Sequence, residues 1–187
     1  MGLRWPLAIG MGALALSLCV VAMADNVQKD RAEIRQKCNE AFSVLYREKP
    51  ELKARIAKSA GYGCFYSFGV TVLVGGAGGH GIVHNNATNK DTYMKMGQAS
   101  AGIELGIKDY REVLIFKDRK TLETFVASGW EFSGSGGAAA QVKGEGGEVG
   151  AATSGSEAIE IYPMTKTGLA VGVSAAGRKY WKDDNLN

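Results

Sequence analysis

Histidine, cysteine and charge of one sign are all scarce in this sequence. Its 187 residues hold two histidines and three cysteines, and 22 basic side chains stand against 19 acidic ones. A balance so near neutrality gives neither the basic footprint of a nucleic-acid binder nor an acidic tail, which excludes nucleic acid as the partner class. His80 and His84 would share one face of a continuous strand. Two imidazoles with no carboxylate or thiolate nearby in the sequence make a poor metal site, and no metal is expected. The serines include no G-x-S-x-G elbow. Ser154-Gly155-Ser156 reads as a polar turn, and Glu145 with Glu148 as exposed loop carboxylates rather than a glycosidase pair. These absences point away from an enzyme and leave no cofactor to expect.

An apolar run long enough to cross a membrane is also missing. Leu7 to Ala22 spans 16 residues, short of the roughly 20 that a spanning helix needs. With Arg4 before it and Ala22-Met23-Ala24 after it, this run reads as a secretory signal peptide over 1–24, and the mature chain starts at Asp25. Removing Arg4 leaves 21 basic residues against 19 acidic, a net charge of +2. Lipid attachment at Cys19 is the less favoured reading, because Leu18 stands where a lipoprotein signal needs a small residue. Residues 25–187 suffice for one domain with a core. Export implies an oxidising compartment, the periplasm, in which Cys38 and Cys64 form one disulfide or remain two separate buried thiols. The sequence leaves both open.

Glycine, by contrast, is abundant: 26 residues. In VGGAGGHGIVHNN (74–86), Gly76, Gly78 and Gly81 fit the spacing G-x-G-x-x-G. A dinucleotide fingerprint must open a helix, yet this stretch leads into Ile82-Val83-His84 and then Asn85-Asn86. The glycines are therefore expected to mark a hairpin or the close approach of two strands.

Periodicity supplies the elements. Val27 to Leu45 is an amphipathic helix with Val27, Ile34, Cys38, Ala41, Phe42 and Leu45 inward. A second helix starts near Pro50, buries Leu52, Ile56, Ala57 and Ala60, and stops at Gly61. From Tyr62 to Val74 the pattern alternates as a strand, with Tyr62, Cys64, Tyr66 and Phe68 on one face and Phe65 on the other. Ser100–Lys108, Arg111–Phe116, Ala138–Lys143, Glu148–Thr153, Glu157–Pro163 and Leu169–Ser174 are further strand candidates. Lys120–Ser128 is a helix capped by Asp118 and stopped by Gly129. The expected fold is α+β: one strongly curved, mostly antiparallel, glycine-rich sheet or partial barrel with helices packed on it.

The candidate binding residues are bases beside rings. Lys53, Arg55 and Lys58 precede the run Tyr62 to Phe68, and Arg178 and Lys179 flank Tyr180-Trp181. Such clusters suit an interface with anionic lipid, charge attracting headgroups and rings entering the boundary layer. The competing reading of the rings is core packing. Lys53, Arg55, Lys58, Tyr62, Tyr66 and Phe68 are expected to contact lipid, joined by Arg178, Lys179 and Trp181 if the end of the chain folds back beside them.

The string Ala57-Lys58-Ser59 through Cys64-Phe65 to Val74-Gly75-Gly76-Ala77-Gly78 resembles the opening of the SYLF domain, also called the Ysc84-like actin-regulator or lipid-binding domain. Gln98-Ala99-Ser100-Ala101-Gly102 with Val113-Leu114-Ile115 resembles its central pair. Glu123-Thr124-Phe125 resembles its middle helix, and Gly168-Leu169-Ala170-Val171-Gly172-Val173 its closing motif. The likeness covers about residues 40–180. It implies a non-enzymatic, phospholipid-binding domain at a membrane surface of the bacterial envelope, similar to the short secreted members, with actin excluded by export. Tyr66 and Val70 replace a proline and a lysine frequent in the family, which implies a less selective phospholipid preference. The alternative is an envelope protein-interaction or structural module, its sheet edge open to strand addition.

Overall fold

The computed structural model describes the backbone of residues 12–72, 76–99, 110–132, 141–142, 158–166, 168–169 and 178–187. Side chains are described from Asp25 onward, except at 68–72, 76–77, 98–99 and 141–142. Two helices come first, α1 (Gly12–Glu48) and α2 (Leu52–Lys58), followed by β1 (Gly61–Val72), β2 (Gly76–Asn85), β3 (Lys90–Ala99) and β4 (Arg111–Phe116). Then follow α3 (Arg119–Ser128), β5 (Trp130–Phe132), β6 (Gln141–Val142), β7 (Ile159–Met164) and β8 (Arg178–Lys182). The described strands make one eight-stranded sheet in the order β5-β8-β3-β2-β1-β4-β7-β6. Seven pair antiparallel, while the short β6 pairs parallel with β7. The sheet curls into a half-barrel, so the fold is mixed α+β.

Alternation along β1 sorts the core into two layers. Cys64 belongs to a cluster with Cys38, Ala41, Leu45, Leu52, Ile56 and Tyr162, beneath α1 and α2. Phe65 points the other way, into a cluster with Met94, Leu114, Phe116, Phe125 and Tyr180 beneath α3. Both faces are thus covered, which is why β4 and β7 are buried at every position.

The glycine-rich stretch is β2, antiparallel to β1, and opens no helix. At Gly81 an added Cβ would land on the Cys64 carbonyl oxygen and on the Phe65 ring. Glycine there lets the two backbones close over a large aromatic side chain. Helix α3 has the expected ends. Asp118 Oδ1 accepts from the Thr121 amide at 2.8 Å, and Gly129 takes φ 73°. Such a side-chain cap is worth about 1 kcal/mol.

Several expectations need correction. The first helix is longer than Val27–Leu45: it runs unbroken from Gly12 to Glu48. Among the described residues no helix is long and apolar enough to cross a membrane. Ala57 is exposed, and Gly61 opens β1 rather than merely ending α2. Strands β3, β5 and β8 are additions to the sequence reading. In β3 the polar residues Lys90, Asp91, Thr92, Lys95 and Gln98 mask the pattern, because one of its faces is only partly covered. The candidates at 100–108 and 148–153 lie outside the described residues, as does most of Leu169–Ser174.

The segment Ile159–Met164 carries a charge cluster that fixes α2. Glu160, 1% exposed, accepts two hydrogen bonds from Arg55, at 2.6 and 2.7 Å, and one from the Tyr162 hydroxyl at 2.8 Å. Lys117 Nζ lies 3.1 Å away. Burial alone would raise this carboxyl; the hydrogen bonds from Tyr162, Lys117 and Arg55 outweigh it and hold the pKa at about 2. The group's folded pKa is depressed, so its stabilisation is complete above the ordinary carboxylate value of 4.5 and is lost as pH falls through about 2. Urea midpoints measured from pH 5 down to pH 2 should fall for the native protein. The Glu160→Gln variant should start lower and decline less steeply; parallel curves would refute the assignment.

Candidate functional site

On the α1 side, cross-strand register puts Tyr66, His80, Lys95 and Trp181 in one row across β1, β2, β3 and β8. Two rows along, Tyr62 pairs with His84 and His84 with Asp91. The two histidines share a face, as their spacing requires. Each meets a carboxylate, contrary to expectation: His84 Nδ1 lies 2.7 Å from Oδ1 of Asp91, seven residues on across the hairpin, and His80 Nδ1 lies 3.5 Å from Oδ2 of the distant Asp183. Among the described residues no group of three or more ligating side chains could hold a metal ion.

The sequence-selected residues divide between two sides of α1. Lys53 and Lys58 are exposed on α2. Arg55 is exposed at its rim but spends its guanidinium on Glu160 and Tyr162. Tyr62 and Tyr66 are half-buried on the sheet face under α1. Tyr62 packs edge-on against Phe42, with ring centroids 5.0 Å apart, and stacks on His84 at 4.9 Å. The Tyr66 hydroxyl is pushed up to about 12, by burial first and then by the carboxylates of Glu33 and Asp30. The side chain of Phe68 lies outside the described residues.

Strand β8 does not fold back beside α2. It is separated from β1 by β3 and β2, while α2 reaches the sheet through Glu160 on β7 at the other side. Within β8 the period of two splits the basic–aromatic run. Arg178, 1% exposed, points into the α3 layer and pairs with Glu112, so it is no part of a surface. Lys179 and Trp181 point outward, Lys182 is exposed at the strand end, and the Trp181 ring lies over Gly97. Trp181, 40% exposed, is the one large apolar side chain left exposed among the described residues.

Between α1, the Tyr66–His80–Lys95 row and residues 183–187 lies a cavity of about 320 Å³. Asp30 and Glu33 stand on its helix side. Asp183, 2% exposed, accepts from Lys95 at 3.2 Å and faces His80. Burial lowers the His80 pKa from its ordinary value against the pull of Asp183, and Lys95 lowers it further.

Fold and surfaces together define a small α+β half-barrel with helices on both faces and basic–aromatic patches at its surface. Residues 97–187 match the family model Ysc84, described as Las17-binding protein actin regulator. The likeness to the Ysc84, or SYLF, family thus covers the C-terminal part of the chain. The chain is also similar to beta cell expansion factor A of Aeromonas veronii, with 33% identity over 156 residues, 83% of this chain and 58% of that protein. It thus spans somewhat more than half the length of the curated relative that it matches. The family is generally non-enzymatic, and lipid binding is a general property of the domain.

Proposed function

We propose that this chain is a non-enzymatic, phospholipid-binding protein that acts at a membrane surface in the bacterial envelope, after export directed by residues 1–24. The observation that carries the reading is the outer side of β8, where exposed Trp181 stands beside Lys179, with Lys182 exposed at the strand end. An exposed indole with basic side chains nearby suits the boundary between headgroups and acyl chains. The exposed Lys53 and Lys58 of α2 supply a second positive patch. The likeness of residues 97–187 to the Ysc84 family, whose domain generally binds lipid, supports the same class of ligand.

Flotation with phosphatidylcholine vesicles, and with vesicles that also contain phosphatidylglycerol, tests this. Trp181→Ala should weaken binding to both about tenfold, the effect of losing about 1.4 kcal/mol of ring insertion. Lys53→Gln with Lys58→Gln should weaken only the anionic case, by at most about 1 kcal/mol per residue, and the difference should vanish in high salt. A native protein that floats with neither vesicle at low salt would falsify the proposal. If it binds but no variant weakens binding, the contact lies elsewhere.

A further inference from the structure

The two ends of the described α1 helix are held very differently. From Cys38 onward its inward residues Cys38, Ala41, Val44 and Leu45 are buried, and Cys38 is disulfide-bonded to Cys64. Between Asp25 and Glu33 no residue is buried, and Ile34 is the first that is. Under this segment lie the 320 Å³ cavity and one small apolar cluster, Ile34, Ile82, Tyr93 and Leu186, with Val27 against it.

Residues 183–187 bridge the gap. The chain leaves β8 at Asp183, whose amide donates to the Tyr93 carbonyl at 3.0 Å, and Leu186 N donates back to the Asp183 carbonyl at 3.2 Å. The Asn187 side chain then behaves as a piece of strand. Its Oδ1 accepts from the Tyr93 amide at 3.0 Å, and its Nδ2 donates to the Tyr93 carbonyl at 2.7 Å. This completes the β3 edge beyond the reach of β8. Leu186, 5% exposed, fits among Ile34, Ile82 and Tyr93, and its carbonyl accepts from Arg31 Nε at 3.0 Å. Asp183 fixes the base of the turn through Lys95.

We propose that residues 183–187 are a latch that holds the segment Asp25–Lys37 of α1 on the sheet, and that releasing it lets this segment swing away. The motion stops at Cys38, where the disulfide and the buried residues beyond it keep the helix on β1. Release opens the cavity and bares the Tyr66, Ile82 and Tyr93 side of the sheet. Direct contacts of the segment with the sheet, chiefly Val27 and Ile34, the 3.6 Å pair of Arg35 with Asp91 and the guanidinium groups of Arg31 and Arg35 over the Tyr93 ring, are too few to hold it alone.

Amide hydrogen exchange of the whole protein reads this out by segment. In a Leu186→Ala, Asn187→Ala variant, protection over residues 26–37 should fall tenfold or more, while protection over 41–47 stays as in the native protein. Arg31→Ala, which cuts the same contact from the helix side together with the stacking of Arg31 over Tyr93, should give a loss at least as large over the same residues. Unchanged protection over 26–37 in both variants overturns the proposal. So does a loss that extends equally through 41–47, which would mean that these residues support the whole fold rather than one segment.

Discussion

Arg178→Met is expected to destabilise the protein by about 3–5 kcal/mol, the usual cost of removing one partner from a buried ion pair. The guanidinium of Arg178 and the carboxylate of Glu112 are 1% and 0% exposed, and they are bonded to each other. Two tyrosines complete the carboxylate's shell: Tyr110 donates to Oε2 at 2.8 Å and Tyr180 to Oε1 at 2.5 Å. Arg178 also lies over the Tyr110 ring, 4.7 Å from its centroid. Burial, and then the charge of Glu112, pushes both tyrosine hydroxyls well above their ordinary value, so they remain donors. Burial would lower the pKa of Arg178, but Glu112 more than restores it and the group stays charged. Without Arg178 the carboxylate is left buried with two neutral donors, and desolvation is no longer offset. Adding Glu112→Gln to Arg178→Met removes that stranded charge and should recover at least about 1 kcal/mol, so the two changes are not additive. Urea unfolding of the three variants measures it. A single variant that loses less than about 1 kcal/mol, or a double variant equal to the sum, would show that the pair is not buried as described.

Removing the disulfide should have an effect of similar size. The Cys38–Cys64 link closes a loop with a sequence separation of 26 and brings Cα atoms to 5.7 Å. For that loop the chain-entropy relation gives about 3.5 kcal/mol. The link joins the helical layer to the central strand of its cluster, where both cysteines are buried, 5% and 1% exposed. Cys38→Ala with Cys64→Ala should therefore lower the unfolding free energy by about 3.5 kcal/mol, with native circular dichroism retained below the transition. Reductant should bring the native protein to the same value and leave the variant unchanged. A loss below about 1 kcal/mol would show that the reduced chain already holds the two elements together.

Alternation from Tyr62 to Phe65 is enough to separate the two sheet faces, because successive strand side chains must point to opposite sides. Asp118 and Gly129 bracket α3 by rules that act within one turn of helix. The glycines around Gly81 announce a close approach of backbones, and their lack of a following helix excludes the nucleotide loop. In each case the information is local, and the sequence by itself determined the outcome. The ordered motifs that resemble the SYLF family were legible in the same way.

What lies far apart along the chain was decided only in three dimensions. In RKYWK at 178–182 the period of two says that Arg178 and Tyr180 share a side and that Lys179 and Trp181 share the other. It does not say which side is solvent. A charged residue reads as surface until its partner is known, and Glu112 lies 66 positions away. Arg55 meets Glu160 across 105 positions, so a basic helix face becomes in part a structural tie. That Tyr62 and Tyr66 are half-buried on the face that α1 covers is likewise a matter of packing that no spacing within β1 announces. Local dihedral preferences set the spacing of side chains, whereas burial depends on which distant segments cover them, and that is fixed only when the whole sheet closes.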